Sequence, residues 1–352
     1  MIFRQMYDST SSTYTYVLAD ASSKDAVIID PVFEQLNRDL ALIRELDLKL
    51  LYSIDTHCHA DHVTGSWLLQ QKTGCKLGSA AAIGAGNVDV ALKHGDRIVF
   101  DDHHLEVRAT PGHTDGCLSY VLNDQTMAFT GDALLIRGCG RCDFQQGDAA
   151  TLFRSITEQI FSLPDSCMLY PAHDYSGRTA STVKEEKAFN PRIGGGASET
   201  DFVGYMDAMR LPHPKLIDIA LPANMASGKP KEGSCPKEPD WAPVRINFAG
   251  VPEIDPEWVA AHANELHILD VREPEEMVIG ETRIADSRIM PLGKLRDHLE
   301  EIPRDKPVVT FCRSGRRSSM AVSILQKAGI ERVANISGGY LHWRDEGLPL
   351  AE

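Results

Sequence analysis

The sequence feature that most constrains the fold is a short histidine-rich motif, THCHADH, at residues 56–62. It follows directly on the β-rich run of residues 50–55, and further ligand-type side chains follow other β-rich runs: His113, Asp132 and His173. A turn at the end of a strand does not spread side chains over two faces, so such residues can converge on one point. A fold that satisfies this pattern must bring several strand ends together at one edge.

Seven residues of this series carry imidazole or carboxylate groups and are candidate metal ligands: His57, His59, Asp61, His62, His113, Asp132 and His173. Donors of these two kinds, without a thiolate, favour Zn, Fe or Mn over a soft metal. Scattered surface histidines are the alternative interpretation, but they would have to fall at strand ends by accident. The residue types alone leave open whether one metal or two would bind.

Around the motif, residues 13–130 alternate short β-rich runs with turns, and helical periodicity appears between some of them. Apolar spacing predicts a helix over residues 36–46, and Asp148 is placed to cap another helix that stops before Pro164. Mixed strands with interspersed helices predict a layered α/β sandwich. We expect this first domain to occupy residues 1–225.

The composition changes beyond it, where residues 226–254 are rich in proline, as is typical of a linker. Residues 255–352 then show a second alternation of strand and helix patterns, which predicts a small domain with a parallel sheet. The length of 352 residues agrees with two domains of about 150 residues each.

The charge balance bears on the partners of the chain. Its 36 basic and 50 acidic side chains leave a formal charge of −14, which argues against nucleic acid and anionic membranes as partners. No apolar run approaches the roughly 18 residues of a spanning helix, and no basic segment followed by an apolar stretch opens the chain. We therefore expect a cytoplasmic protein whose eight cysteines are mostly reduced thiols. The sequence does not define the oligomeric state, and a homodimer is one alternative.

The predicted second domain has a cysteine motif of its own. The run KPVVTFC at residues 306–312 predicts a strand that ends in Cys312, and a tight loop then leads into a helix. Backbone N–H groups of such a loop, the positive end of the helix and nearby arginines all favour a thiolate, so Cys312 is a candidate nucleophile. The loop residues that would surround its sulfur are Arg313, Ser314, Gly315, Arg316 and Arg317. A phosphatase loop would need an arginine at position 318, where this chain has Ser318.

At the histidine motifs, the chain resembles the metallo-β-lactamase superfamily, and within it the persulfide dioxygenase family. The segments LLIRGCGRCDFQQG at residues 134–147 and YPAHDY at 170–175 carry the closer likeness, which covers nearly all of residues 1–225. The resemblance implies an αββα sandwich with one Fe(II) per chain, held by His57, His113 and Asp132. His59, Asp61, His62 and His173 would then orient these ligands, although nothing in their spacing forbids a second metal.

Arg141 and Tyr175 lie in the two family-specific segments, and with Arg137 and Arg192 they are candidates for substrate binding. Arg137, Arg141, Tyr175 and Arg192 could hold the carboxylates of a glutathione moiety, because an arginine fork suits carboxylate recognition. Structural salt bridges are the alternative interpretation for the arginines. Cys139 and Cys142 form a C-x-x-C pair, but the family pattern usually lacks the second cysteine, so we expect no functional pair.

Residues 255–352 resemble a single-domain rhodanese in the cysteine loop and in its framing segments LDVREPEE and NISGGYLHW. The resemblance implies that Cys312 carries a sulfane sulfur as a persulfide. Asp270 and Arg272 would belong to the framework. The chain departs from the family pattern at MVIGETRIADSRIMPL, residues 277–292, which puts the sulfur acceptor in doubt and leaves the nucleophile unaffected.

Both resemblances concern the same functional group. They imply oxidation of glutathione persulfide by O2 to sulfite and glutathione at the iron, and transfer of sulfur between thiosulfate or sulfite and glutathione at Cys312. The first alternative is a di-metal acylglutathione thioester hydrolase of the glyoxalase II type with an accessory persulfide-binding domain. A second alternative makes the rhodanese-like domain a sensor or docking module without catalysis.

Overall fold

The computed structural model describes residues 1–209, 211–212, 216–231, 239–277 and 282–351. The chain divides into two compact units, Met1–Cys235 and Pro236–Glu352. Residues 232–238 of the predicted linker and residues 278–281 of the departure from the rhodanese pattern lie outside the described residues. No helix in the described part of the chain is long and apolar enough to cross a membrane.

The first unit contains two six-stranded sheets. The strands of the first sheet follow chain order. Neighbours pair antiparallel from the first strand to the third and parallel from the third strand to the sixth. Its strands are β1 (Ile2–Asp8), β2 (Thr13–Ala19), β3 (Asp25–Ile29), β4 (Lys49–Ile54), β5 (Lys76–Ala80) and β6 (Val90–Leu92).

The second sheet has the order β12-β11-β10-β9-β8-β7 and is antiparallel except for the pair β10 and β11. Its strands are β7 (Arg97–Phe100), β8 (His103–Ala109), β9 (Leu118–Leu122), β10 (Met127–Gly131), β11 (Met168–Pro171) and β12 (Ser181–Thr182).

An apolar core lies between the two sheets, and helices pack on both outer faces. Tyr16 of the first sheet meets Phe129 of the second, with ring centroids 4.9 Å apart, and both side chains are almost fully buried. Separate clusters join α1 and α2 to the first sheet, and α3 and α5 to the second. The αββα sandwich is therefore confirmed. Its helices are α1 (Leu36–Glu45), α2 (Ser66–Thr73), α3 (Ala149–Arg154), α4 (Val183–Phe189), α5 (Glu199–Ala208) and α6 (Ile217–Asn224).

The helix predicted after Asp148 begins as expected but changes form midway. Asp148 accepts a hydrogen bond from the Thr151 amide, whereas residues 155–160 form a π-helix. The hydroxyl of Ser155, at the start of the wider turn, donates to the Pro111 carbonyl at 2.6 Å. The irregular turn therefore supports the loop that carries His113.

The second unit has one six-stranded sheet, parallel except for the pair β13 and β14, with helices on both faces. Strands β13 and β14 lie in residues 245–254, which the proline content assigned to a linker. The elements are β13 (Arg245–Ile246), β14 (Pro252–Ile254), β15 (His267–Asp270), β16 (Arg288–Ile289), β17 (Val308–Phe311), β18 (Val333–Ile336), α7 (Pro256–Ala261), α8 (Leu292–Leu295), α9 (Arg316–Lys327) and α10 (Gly339–Asp345).

A close backbone approach in this unit generates a stability prediction. Gly339 has φ +61°, and a Cβ on it would lie 2.4 Å from the Cys312 carbonyl oxygen and 2.7 Å from the Gly315 nitrogen. Gly339→Ala should therefore lower the free energy of unfolding by about 2 kcal/mol or more, because left-handed strain adds to the clash. Denaturant titration followed by tryptophan fluorescence measures the change. Gly293→Ala is the matched control, since no atom lies within 4 Å of its would-be Cβ; equal losses in the two variants would contradict the prediction.

Candidate functional site

Four strand ends of the first unit supply the candidate ligands. The histidine motif follows β4, His113 follows β8, Asp132 follows β10 directly and His173 lies just beyond β11. The structure brings all seven candidates together and divides them into two groups. In each group, one ligand atom per residue lies within 4.8 Å of the others. The first group is His57, His113 and Asp132; the second is His59, Asp61, His62 and His173.

The first group presents its ligand atoms on one side. Asp132 Oδ2 lies 3.9 Å from His57 Nε2 and 3.7 Å from His113 Nε2. Two imidazoles and one carboxylate are the donor set of a facial triad, which leaves coordination positions of an iron ion open to other ligands. The residues present therefore suit a ferrous ion.

Hydrogen bonds fix the tautomers that this role requires. Thr56 Oγ1 donates to Asp30 Oδ2 at 2.8 Å and can therefore accept from His57 Nδ1 at 2.9 Å. His113 Nδ1 donates to the Arg141 carbonyl oxygen at 2.5 Å. In both rings Nε2 keeps its lone pair. Burial, and next the neighbouring His59, hold the pKa of His57 well below 6.5, so the ring is neutral.

The second group is organised around His173. This ring bonds Asp132 Oδ1 through Nδ1 at 2.6 Å and Asp61 Oδ2 through Nε2 at 3.0 Å. Burial lowers the pKa of His173, but the two carboxylates outweigh burial and raise it well above 6.5. With both ring nitrogens hydrogen-bonded to carboxylates, His173 orients Asp132 and offers no free nitrogen in this arrangement. His59 Nδ1 and His62 Nε2 are buried without a hydrogen-bond partner in the described part of the chain.

Asp30 is a site residue that the sequence reasoning missed. It follows β3, has φ +50° and is fully buried. Its carboxylate accepts from the Thr56 amide at 2.7 Å, from the Thr56 hydroxyl and from His59 Nε2 at 3.1 Å. The available signal was its place at the end of the β-rich run AVIID.

The first group opens into a pocket of about 790 Å3. All four proposed glutathione contacts line it, and so does Arg178, which the sequence reasoning did not single out. Tyr175 is 72% exposed at the rim, with its ring parallel to that of His173 at 6.2 Å between centroids. Side chains from both ligand groups and from the family-specific segments therefore face one cavity.

Every arginine of the pocket already has a partner within the chain. Arg137 pairs with Glu185 and Glu186, while Arg178 pairs with Asp174. Arg141 makes a bidentate pair with Asp143, with both N···O distances at 2.6 Å. Arg192 donates to the Cys139 carbonyl oxygen at 2.6 Å. An incoming carboxylate would have to compete with these acceptors.

The C-x-x-C pair consists of protonated thiols. Burial raises the pKa of both Cys139 and Cys142 above the usual thiol value. Neither sulfur forms a disulfide. Raised pKa values are the opposite of what a reactive redox pair needs.

In the second unit, Cys312 directly follows β17 and is 1% exposed. Burial raises the pKa of its thiol, but hydrogen bonds from the Ser318 side chain and from the amides of Ser318, Ser314 and Arg317 outweigh burial, and the net pKa is lowered. The Ser318 hydroxyl lies 3.4 Å from Cys312 Sγ, and Gly315, with φ +88°, is the N-cap residue of α9. The cysteine therefore lies in a nest of donors that favours a thiolate.

The arginines of this loop differ in their surroundings. Arg317 makes a bidentate pair with Glu276, with N···O distances of 2.5 and 2.8 Å, whereas Arg313 and Arg316 are exposed. Asp270 and Arg272 form a fully buried ion pair at 2.7 Å, and Arg272 lies over the Tyr340 ring at 4.6 Å. This pair belongs to the framework beneath the loop.

Comparisons with known proteins match these two sites to separate families. The metallo-β-lactamase superfamily model matches residues 9–173, and the rhodanese-like domain model matches residues 255–346. Persulfide dioxygenase ETHE1, mitochondrial, from Mus musculus is 55% identical over 229 residues, 65% of this chain and 89% of that protein. The Homo sapiens protein of the same name is 54% identical with the same coverage.

Solved structures show a likeness to the same superfamily. The crystal structure of ETHE1 from Myxococcus xanthus is 49% identical and covers 65% of this chain and all of its own, with a TM-score of 0.63. A metallo-β-lactamase structure from Staphylococcus aureus, 22% identical, covers 96% of this chain and 98% of its own with a TM-score of 0.61. The second likeness shows the fold alone.

The hydrogen bond between Thr56 and His57 should affect metal affinity. Thr56→Val removes the hydroxyl that accepts from His57 Nδ1, so the ring loses the hydrogen bond that fixes it, and Fe(II) should bind about 10-fold or more weakly. Anaerobic competition with a chromophoric chelator measures the affinity. Thr110→Val is the matched control, because Thr110 is equally buried but its hydroxyl pairs with Ser119. Unchanged affinity in Thr56→Val would contradict the assignment.

A second prediction concerns the pH dependence of Cys312. A lowered pKa means a larger thiolate fraction at neutral pH, so alkylation by iodoacetamide should have a midpoint below the usual thiol value of about 8.5. Ser318→Ala should move this midpoint to higher pH, because it removes one donor to the sulfur. Peptide mass spectrometry at a series of pH values measures both, with the half-buried Cys142, whose pKa is raised, as internal reference. Identical profiles for Cys312 and Cys142 would refute the prediction.

Proposed function

This chain belongs to the persulfide dioxygenase family, with a metallo-β-lactamase superfamily domain followed by a rhodanese-like domain, and we propose that it is a bifunctional enzyme of persulfide metabolism. We assign the oxygenation to the unit Met1–Cys235 and sulfur transfer to Pro236–Glu352. The first reaction converts glutathione persulfide, O2 and water into glutathione, sulfite and two protons.

One observation carries the oxygenase proposal. His57, His113 and Asp132 point three ligand atoms at one place that opens into the pocket, while His173 is used as a charged partner of Asp132. An Fe(II) ion held there would supply electrons and open coordination positions for O2 and the persulfide sulfur.

The surrounding residues would set the charge of the centre. Two neutral imidazoles and one carboxylate leave a net positive charge on a divalent ion, which favours an anionic persulfide as the next ligand. The His173 imidazolium holds Asp132 Oδ1 and so leaves Oδ2 directed at the metal position. Its burial also keeps water from competing for the Asp132 bond.

The rest of the pocket would hold the glutathione moiety. Arg141 is the best placed cation, because its partner Asp143 has a half-exposed side chain that can leave when a substrate carboxylate replaces it. Tyr175 at the rim offers a flat surface to the peptide backbone of the substrate. Arg137 and Arg192 are held by buried groups and would shape the pocket rather than change partners.

In the second unit, the Cys312 thiolate would attack the sulfane sulfur of thiosulfate and release sulfite. The resulting Cys312 persulfide then passes its outer sulfur to the glutathione thiolate, which gives glutathione persulfide and restores the Cys312 thiolate. The same steps can run in reverse from sulfite. Donors from the loop stabilise the charged sulfur in both directions. The second alternative, a sensor or docking module, predicts instead that the full chain transfers no sulfur from thiosulfate.

The thioester hydrolase alternative requires a second metal at His59, Asp61, His62 and His173. The unpartnered His59 Nδ1 and His62 Nε2 favour it, whereas the engagement of both His173 nitrogens opposes it. Metal content therefore separates the two functions.

The deciding experiment measures O2 uptake and sulfite formation on glutathione persulfide with the full chain, and quantifies metals in the same sample. We expect one iron per chain and one sulfite per O2. His113→Ala should abolish O2 uptake and retain thiosulfate-dependent sulfur transfer, whereas Cys312→Ser should do the reverse. Two zinc ions per chain, with acylglutathione cleavage and no O2 uptake, would overturn the proposal.

A further inference from the structure

The histidine loop, residues 55–63, is not stabilised by secondary structure of its own. Residues 55–63 form no helix or strand, so their buried N–H and C=O groups need partners from elsewhere in the fold. Gln145 donates to the Cys58 carbonyl oxygen at 2.8 Å, and the Phe33 amide donates to that of Val63 at 2.9 Å. The stretch between them, which carries His59, Asp61 and His62, depends on another residue.

That residue is Asn224, the last residue of α6. Its Nδ2 donates to the carbonyl oxygens of His59 and His62, each at 2.8 Å, and its Oδ1 accepts from the Thr64 amide, also at 2.8 Å. The side chain is almost fully buried. These three hydrogen bonds of the Asn224 amide all go to one loop, which lies about 160 residues earlier in the sequence.

The segment around Asn224 is itself fixed against the same region. The Ser227 carbonyl oxygen accepts from the Trp67 amide at 3.1 Å, and the Met225 carbonyl oxygen accepts from the Gly86 amide at 2.8 Å. Gly228 has φ +74°, and a Cβ on it would lie 2.0 Å from the Thr64 carbonyl oxygen. The end of α6 and the turn after it therefore form a rigid support for the loop.

A continuous chain of hydrogen bonds leads from this support to a proposed metal ligand. Asn224 fixes the backbone on both sides of Asp61; Asp61 Oδ2 binds His173 Nε2 at 3.0 Å; and His173 Nδ1 binds Asp132 Oδ1 at 2.6 Å. If the backbone at Asp61 shifted, the orientation of the Asp132 carboxylate would shift with it. Groups that are hydrogen-bonded directly to a ligand, as His173 is to Asp132, commonly affect metal affinity by about 10- to 100-fold, and Asn224 acts on this contact through Asp61.

We propose that Asn224 is a positioning residue of the metal centre, which fixes the backbone from His59 to Thr64 and thereby sets the orientation of Asp132. The inference rests on the ligand set of the proposed function, but not on its reaction. It assigns a role in the site to a residue that is not among the candidate ligands and does not line the pocket.

The test uses the full chain, freed of metal and titrated anaerobically with Co(II), whose visible absorption reports ligand geometry. Asn224→Asp keeps the acceptor for Thr64 but places a second oxygen against the carbonyls of His59 and His62. We expect Co(II) to bind about 10- to 100-fold more weakly, with an altered visible spectrum. Asn224→Ala, which only removes the amide, should also lower the affinity for Co(II) and alter the visible spectrum. Ser227→Ala is the matched control, because it removes a bond to Gly86 from the same turn and leaves the histidine loop untouched.

Hydrogen exchange of the wild-type protein provides a measurement that does not depend on how the variants fold. The Thr64 amide should exchange slowly in the wild type and much faster in Asn224→Ala, which removes the acceptor of this amide, while Ser227→Ala retains the slow rate. Unchanged Co(II) affinity and spectrum in Asn224→Asp, or fast exchange at Thr64 in the wild type, would overturn the proposal. A chain that binds Co(II) as expected but consumes no O2 would instead contradict the dioxygenase assignment alone.

Discussion

The metal centre depends on how buried carboxylates share their hydrogen bonds among the imidazoles. Seven ligand-type side chains meet at one edge of the sandwich, and their chemistry alone could serve two metals. Asp132 and Asp61 bind both nitrogens of His173, and Asp30 receives the hydroxyl that orients His57. These bonds leave the free Nε2 atoms of His57 and His113 beside one oxygen of Asp132. Under the proposed function, this placement of protons favours His57, His113 and Asp132 as the ligand set.

The two units use burial in opposite ways. In the first unit, burial keeps His57 neutral and so available as a ligand. In the second unit, burial would protonate Cys312, and donors from the loop and from Ser318 reverse this effect. Donor groups in the second unit thus favour an anionic sulfur, while the proposed metal would give the first unit a cationic centre. Both arrangements suit a substrate whose reactive atom is a charged sulfur.

Local patterns predicted the parts of the molecule that local chemistry determines. The β-rich runs, the cap at Asp148, the sandwich and the cysteine at the end of β17 could be read from neighbouring residues, and the structure has them in these places. Strand β14 was missed because its three residues stand in a proline-rich stretch, which predicts a linker. They form a strand only by pairing with β18, a strand inside the sheet. Asp30 and Asn224 were missed for a related reason, since their partners are 26 and about 160 residues away. The ion pairs of the pocket arginines likewise arise only after folding.

The wrapping of α6 onto the histidine loop constrains how such a two-domain protein can arise. Gly228 and Asn224 belong to the support of the metal site, although they stand where the sequence begins to look like a connector. A gene fusion that joined a rhodanese-like domain upstream of residue 224 would delete part of that support while leaving every ligand in place. The permissible junction therefore lies after residue 228, within the proline-rich segment of residues 226–254 and not at its start.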